Sequence, residues 1–419
     1  MAKDSVNPDV RHQLDVLVRR EHGRLIAQLL AWMGGSNLQL AEDVAQEALL
    51  TAMSVWPYRG MPDNPRAWLA RVARNRAIDR LRREHREVAF DEFPDQHQEG
   101  PQDQLFESRI SDPELRLMLL CCHPVLTELE RLALTLRIVS GFNACEIARA
   151  FLMSDSAMGQ RLARAQRKLK EQGEAVNSEP SVFEIRQRTD TLLKFVYLVF
   201  SLAYAPRTGD DLVRRDVALE ALRLARELAR HELTTSPPAH ALTALLCFQA
   251  SRLDSRQDEH GCPILLRDQD RSQWDHALIA EGFQYLVASK TDGELSNYHL
   301  EAGIASVHAA SNSWEECDWK AIVRQYEILQ KMTRSPVVAI NAAVALAMAG
   351  EPGQALERLD QLKQVPLLQR YSPYFIARAE ILKQLGRNEE ASIQYELAIR
   401  HGTSEPVHRH LELQIQSLQ

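Results

Sequence analysis

The sequence predicts an all-α protein with two small helical domains, the second carrying a helix-turn-helix, an acidic linker between them, and a large α-helical C-terminal domain. Three observations support this fold class. Almost the whole chain has a helical pattern, and strand-like alternation of apolar and polar residues is scarce. Residues 143–171 have the pattern of two helices joined by a tight turn. Residues 341–399 contain a repeated helical hairpin.

Length and composition are those of an ordinary globular protein of two or three domains. The chain has 419 residues, of which 45% are hydrophobic and 26% are charged. It lacks a run of about 18 apolar residues and begins without a signal-peptide pattern, so we expect no membrane association and a cytoplasmic location. The six cysteines form no C-x-x-C pair, which favours free thiols in a reducing compartment.

Positive charge is concentrated in one short segment, although the net charge is −7. Residues 66–86 hold eight arginines against two acids, whereas residues 87–114 hold nine acids against one arginine. Such an asymmetry indicates a polyanionic partner at one place and not over the whole surface. An ordinary solvated helix face is the alternative, because charged runs are often no more than that.

Polar segments divide the helical pattern into successive blocks. The clearest is an acidic stretch broken by Pro94, Gly100 and Pro101, which we expect to be a flexible linker. The predicted organisation is a compact helical domain at 10–86, the linker at 87–111, a second small domain at 112–173, a helical extension at 182–335 and helical hairpins at 336–419.

The final block contains an internal repeat. Gly350 aligns with Gly386 and Ala355 with Ala391, in each case 36 residues apart. This period is close to the roughly 34 residues of a tetratricopeptide (TPR) repeat, in which small residues let two helices pack closely. The pattern predicts TPR-like hairpins at the end of the chain.

The arginine-rich segment predicts a helix that displays guanidinium groups. Asn64 is suited to cap this helix, and Pro65 to occupy its first position. Arg71, Arg74, Asn75 and Arg82 then fall on one stripe, with Trp68 beside it. Guanidinium groups suit phosphate oxygens, and aromatic faces suit unstacked bases, so this face predicts a nucleic-acid contact.

Residues 143–171 predict a helix-turn-helix. Asn143 and Glu146 form a capping box at the first helix, and the second helix extends over 156–171. Its N-terminal end is where a recognition helix meets base edges in the major groove. Gly159 in its interior costs about 1 kcal/mol relative to alanine. A non-DNA helical hairpin is the alternative. The stripe predicted to be buried consists of Met158, Leu162, Ala165 and Leu169.

In this order the elements resemble bacterial sigma factors of the extracytoplasmic-function type. AEDVAQEALLTAM (41–53) resembles the helix that binds the clamp of core RNA polymerase, and NPRAWLARVARNRAIDRLRR (64–83) the helix that melts and reads the −10 promoter element. Residues 131–170 resemble the domain that reads the −35 element. The segments LLRDQDRSQWD and NYHLEAGIASVHA, followed by TPR-like hairpins, resemble the subgroup with a long helical C-terminal extension. That subgroup generally lacks an obvious membrane anti-sigma partner, which implies that the extension itself regulates the activity of the sigma factor.

The resemblance implies roles for individual residues, and it implies core RNA polymerase and promoter DNA as partners. The loop at 55–65 corresponds to a pocket for an extruded base. Gly159 stands where many members have lysine, which puts a direct contact from this position in doubt. The implied contacts are Asp43, Gln46 and Glu47 for core polymerase; Trp68, Arg71, Arg74, Asn75, Arg76 and Arg80 for the −10 element; and Ser156, Gln160, Arg161 and Arg164 for the −35 element.

The sequence offers no pattern of catalytic, metal-binding or cofactor-binding residues, so we expect no enzyme activity. The adjacent thiols and imidazole at 121–123 point in different directions on a helix, which favours packing over metal binding. Asp268, Asp270 and Asp275 lack an accompanying nucleophile or phosphate loop. They are better explained as a polar loop that caps a helix starting near Ser272.

Two further functions compete with a sigma factor. One is a conventional helix-turn-helix regulator with a helical sensor domain, which would bind duplex DNA alone. The other is an enzyme in the C-terminal half. For the C-terminal domain we expect a regulatory role through a protein partner or through intramolecular contacts, either masking the DNA-binding surfaces or supporting activity.

Overall fold

The computed structural model describes residues 8–85, 112–151, 153–173, 180–204, 215–258, 264–293, 295–403 and 405–418. These ranges are helical and contain no β-strand, as the sequence predicts. The predicted linker at 87–111 lies outside them. The chain forms two compact units, residues 1–195 and 196–419, each described by itself below. No described helix is long and apolar enough to span a bilayer.

The first unit begins with three mutually packed helices. They are α1 (Pro8–Met33), α2 (Leu38–Arg59) and α3 (Pro65–His85). Asn64 caps α3 as predicted, because its side-chain oxygen accepts a hydrogen bond from the amide of Ala67 at 3.1 Å. Alanines spaced by three or four residues on α2 are fully buried, which lets the neighbouring helices approach closely. These alanines are Ala41, Ala45, Ala48 and Ala52.

Four shorter helices complete most of this unit, and local side chains fix where they begin. Thr127 and Asn143 each form a capping box, with Glu130 and Glu146 respectively, and Ser154 caps the last helix. The second capping box was predicted, and so was the buried stripe of the last helix. The helices are α4 (Pro113–Cys121), α5 (Glu128–Ile138), α6 (Ala144–Ala150) and α7 (Asp155–Glu171).

Helix α8 (Val182–Tyr204) contains the division between the two units. Its first half belongs to the first unit, where Arg188 is buried and donates a hydrogen bond to the carbonyl of Leu119 at 3.2 Å. Lys194 pairs with Glu128 at 2.6 Å. The compact first unit therefore extends to Phe195.

The second unit is an array of helices, most of which contact the next helix along the chain. Asp270 caps only a short 3₁₀ turn, and the long helix begins at His276 with Asp275 as its cap, four residues later than predicted. The helices are α9 (Arg215–Arg230), α10 (Pro237–Ala250), α11 (His276–Ala288), α12 (Asn297–Ala310), α13 (Trp319–Thr333), α14 (Pro336–Met348), α15 (Pro352–Gln361), α16 (Ser372–Gln384), α17 (Asn388–Arg400) and α18 (Glu405–Ser417).

The repeated sequence forms two helical hairpins, α14 with α15 and α16 with α17. Gly350 and Gly386 occupy the two turns with φ of 97° and 74°, a conformation that residues with a Cβ rarely adopt. Ala355 and Ala391 are fully buried against the first helix of each hairpin. The 36-residue period therefore predicted a real structural repeat.

Candidate nucleic-acid interface

Helix α3 displays part of its predicted arginine stripe to solvent. Arg71, Arg74 and Asn75 are exposed, and the guanidinium of Arg74 lies 5.5 Å from the ring centre of Trp32. Trp68 packs edge-on against the buried ring of Trp56, with ring centres 5.3 Å apart. Arg74 thus contacts an aromatic ring, and the polar ends of the exposed residues remain accessible to phosphate.

Arg76 and Arg80 instead face α2, where the predicted polymerase-binding acids lie. Arg76 donates to Glu47 at 2.7 Å and to the hydroxyl of Thr51 at 2.7 Å. Arg80 bonds to Glu47 and reaches Asp43 at 3.4 Å. The hydrogen bond from Arg76 is the main cause of a lowered pKa of Glu47. Two residues predicted to read DNA are therefore paired with two residues predicted to bind protein.

The outer face of α2 combines these acids with exposed apolar side chains. Leu50 is 64% exposed and follows Glu47 by three residues, and Met53 lies further along the same face. Gln46 donates a hydrogen bond to Glu42 at 3.0 Å, so its amide is fixed close to the helix. Exposed apolar side chains bordered by acids are typical of a protein-binding surface.

The predicted base pocket at 55–65 is not a loop throughout. Helix α2 continues to Arg59 although Pro57 lies in its last turn, and Trp56 anchors that turn in the core. Gly60 then ends the helix with φ of 79°. Tyr58 and Met61 remain exposed beside this end, so an aromatic face is still available to an unstacked base.

Helix α7 exposes three of the four residues predicted to contact the −35 element. Ser156, Gln160 and Arg164 are exposed at or near its N-terminal half. Arg161 is half-buried, and its buried Nε has no hydrogen-bond partner in the described structure. Further along α7, Lys168 donates to both carboxylate oxygens of Glu130 at 2.8–2.9 Å, so its charge is paired within the protein.

The sequence did not reveal a contact that joins the two DNA-binding elements. Glu42 on α2 is 2% exposed and accepts hydrogen bonds from Arg137 at 2.6 Å and from Gln166 at 2.5 Å. Burial raises the pKa of Glu42, and the charge of Arg137 opposes this. No local signal marks the contact, because its partners are 95 and 124 residues away.

Two further contacts close the same interface. Gly23 on α1 lies so near the end of α5 that a Cβ there would be 2.3 Å from the carbonyl oxygen of Val139. His22 is buried beside Arg137, and burial, aided by that positive charge, lowers its pKa to about 4. We call the contacts of Glu42, Arg137, Gln166, Gly23 and His22 the clasp.

Three family models match separate parts of the chain. Residues 18–87 match Sigma-70 region 2, residues 116–169 match Sigma-70 region 4, and residues 188–290 match a family of unknown function, DUF6596. An uncharacterized protein of Rhizobium meliloti (strain 1021) is 36% identical over 391 residues, which cover 91% of this chain and 90% of the relative. No solved structure matches the chain.

Proposed function

Because the chain belongs to the sigma-70 family, as a sigma factor of the extracytoplasmic-function type with a C-terminal extension, we propose that it binds core RNA polymerase and directs initiation at specific promoters. One observation supports this most directly. Within a single three-helix bundle, α2 presents an acidic and apolar face while α3 presents an arginine face. A protein partner and a polyanion can therefore be held at the same time.

We assign core binding to Asp43, Glu47, Leu50 and Met53. The two carboxylates are oriented by Arg76 and Arg80, and the apolar side chains supply surface that becomes buried when the partner binds. Gln46 belongs to the same face. On this assignment the two arginines position the polymerase-binding acids and contribute only indirectly to DNA binding.

The −10 element would be held by Arg71, Arg74 and Asn75, next to Trp68. Their guanidinium and amide groups are exposed, and Tyr58 lies nearby in the chain as a stacking surface. Melting requires a base to leave the stack, and aromatic stacking offsets about 1–3 kcal/mol of that cost.

The −35 element would be read by the N-terminal half of α7. Ser156 and Gln160 are placed for base edges, and Arg164 for the phosphate backbone, as in helix-turn-helix proteins generally. Arg161 is partly covered, so its contact requires the side chain to extend. We expect the backbone contacts to dominate affinity and the polar residues to contribute specificity.

The clasp is incompatible with simultaneous binding of both promoter elements. Elements about 25 base pairs apart are separated by roughly 85 Å of duplex at about 3.4 Å per base pair. A compact unit of 195 residues is only about 40 Å across. We therefore propose that the clasp opens when the factor joins polymerase and promoter.

Run-off transcription with purified core RNA polymerase tests the proposal. We expect the full-length chain to produce new, specific start sites on fragments of its source genome. The double variant Arg71→Ala/Arg74→Ala should abolish them while still co-eluting with polymerase, whereas Leu50→Glu should prevent co-elution. Arg167→Ala is the matched control, because this exposed arginine pairs with Glu171 on its own helix.

The competing function predicts a different result. A conventional helix-turn-helix regulator would bind duplex DNA without polymerase, and Leu50→Glu would leave that binding intact. Absence of both polymerase binding and new transcripts from the full-length chain would reject the sigma-factor proposal.

For the second unit we propose a regulatory role through protein contacts. Its paired hairpins form an extended helical surface of the kind that repeat proteins use for binding.

A further inference from the structure

The second unit contains a cavity of about 400 Å³ that none of the promoter or polymerase contacts uses. It lies among α10, α12, α13 and α14, and its volume is within the range of small-ligand sites. Four aromatic side chains are among its lining residues, so it can accept an apolar body. These rings belong to Tyr197, Phe248, Trp274 and Tyr326.

Arg252 supplies a positive charge to this cavity. Its guanidinium donates to the side-chain oxygen of Gln249 at 2.6 Å, and no described carboxylate lies within ion-pair distance of it. A half-buried guanidinium without a carboxylate partner is a strong binding group for an anion, particularly one with two oxygens.

Glu301 supplies an acidic group in the same cavity. One carboxylate oxygen accepts from the hydroxyl of Tyr197 at 2.9 Å and the other from Asn297 at 3.3 Å. A carboxylate has about four acceptor positions, so both oxygens can accept further donors. Tyr326 also lines the cavity, and burial raises the pKa of this phenol to about 12.

A buried donor adds a third polar feature. Trp274 is 4% exposed and lines the cavity, and its indole N–H has no hydrogen-bond partner in the described structure. Buried donors without partners are uncommon, because leaving one unpaired costs about 1–3 kcal/mol. An acceptor atom on a bound molecule would remove this cost.

We propose that the cavity binds a small zwitterion, a free amino acid or dipeptide with an apolar side chain, whose carboxylate meets Arg252 and whose ammonium meets Glu301. The aromatic walls then enclose the apolar side chain. A simple anion would leave Glu301 without a new partner, and a simple cation would do the same to Arg252. A nucleic acid would require several cations, whereas His308, the nearest imidazole, is held neutral by burial.

Calorimetric titration of the full-length chain tests this site directly. The probes are leucine, phenylalanine, tryptophan and dileucine, each compared with its N-acetyl and its carboxamide derivative. We expect at least one free zwitterion to bind, and blocking either charged end to weaken its binding at least about 10-fold, as expected for losing a charge-assisted hydrogen bond.

Amino-acid substitutions provide a second, independent test of the binding site. Arg252→Gln should weaken binding about 10-fold or more, and Glu301→Gln should lower selectivity for the free ammonium over the N-acetyl form. Arg215→Gln is the control, because Arg215 pairs with Asp254 and does not line the cavity. The proposal is overturned if no probe binds at millimolar concentration, if blocked probes bind equally well, or if Arg252→Gln has no effect. None of these outcomes depends on transcription, so failure here leaves the sigma-factor proposal untouched.

Discussion

Glu42 of α2 accepts a hydrogen bond from the Nε of Arg137 in α5 at 2.6 Å, so the helix predicted to bind polymerase is joined to the domain predicted to read the −35 element. The carboxylate is almost completely buried, whereas the arginine keeps some contact with water. Removing only the arginine of this ion pair lowers the stability of the fold. The buried acid is then left with Gln166 and Gln46 as its described partners.

Arg137→Ala should therefore destabilise the first unit by about 3 kcal/mol, the lower end of the range for breaking a buried ion pair. Denaturant unfolding of the full-length chain measures this loss. Adding Glu42→Gln to Arg137→Ala should recover part of it, because the remaining side chain carries no charge. A double variant less stable than Arg137→Ala would contradict the assignment of Glu42 as the buried charge.

Gly23→Ala should open the clasp without altering any residue assigned to DNA or polymerase. The new Cβ would meet the Val139 carbonyl at 2.3 Å, and an ordinary contact of this type requires about 1 Å more. Fluorescence energy transfer between labels at exposed Arg59 and Lys170 should report a larger separation, and promoter-dependent transcription should rise. An unchanged separation would show that the interface accommodates the methyl group.

Gly159→Ala is the matched control for that substitution, and it carries a prediction of its own. A Cβ at Gly159 meets no atom within 4 Å, so alanine should stabilise α7 by up to about 1 kcal/mol without disturbing the clasp. Gly159→Lys should add one phosphate contact and increase the salt dependence of promoter binding by about one unit of slope. A salt dependence equal to that of the alanine variant would show that residue 159 lies away from the phosphate backbone of the DNA.

Acidification should weaken the first unit through His22. The folded protein holds the pKa of this imidazole at about 4, whereas the unfolded chain binds its proton near 6.5. The unfolded state therefore gains protons first, and stability is lost as the pH falls from about 6.5 towards 4. At about pH 5 the expected loss from this residue is roughly 2 kcal/mol.

Comparison of wild type with His22→Gln isolates that contribution. Burial also lowers the pKa of His308 in the second unit to about 4. The pH dependence of wild-type stability therefore includes contributions from both imidazoles. Urea unfolding at about pH 7.5 and about pH 5 should show a smaller pH effect in the variant. Equal pH effects in the two proteins would exclude His22 as a contributor.

Features encoded within a few residues were predictable from the sequence. Asn64 and Asn143 cap their helices because a short polar side chain can reach the backbone amide three residues further along the chain. Gly350 and Gly386 mark hairpin turns because they adopt positive φ. The buried stripe of α7 follows from helical spacing alone.

Features that depend on which helices become neighbours were not predictable in the same way. Arg80 was predicted to hold or read the −10 element, yet packing of α3 against α2 turns it towards Glu47. One signal was present, since both the acids at 43 and 47 and the arginines at 76 and 80 are one helical turn apart. Glu42 offered no such signal for Arg137 and Gln166, because these two partners come from a different predicted domain.

A truncation at residue 180 should damage the first unit. Arg188 is buried in that unit and donates to the Leu119 carbonyl, and Lys194 pairs with Glu128, so a chain ending at 180 lacks both contacts. A chain ending at Phe195 retains them and follows the boundary of the compact unit. We expect the 1–195 chain to unfold at a higher denaturant concentration than the 1–180 chain.

Transcription by the 1–195 chain then separates the two mechanisms for the second unit, because loss of activity can no longer be attributed to a damaged first unit. Higher promoter-dependent transcription than in the full-length chain indicates that the second unit masks the DNA-binding surfaces. Lost transcription with normal unfolding indicates that it supports the polymerase complex, and unchanged transcription rejects both mechanisms. If the 1–180 and 1–195 chains proved equally stable, the first half of α8 would not be part of the first unit's core.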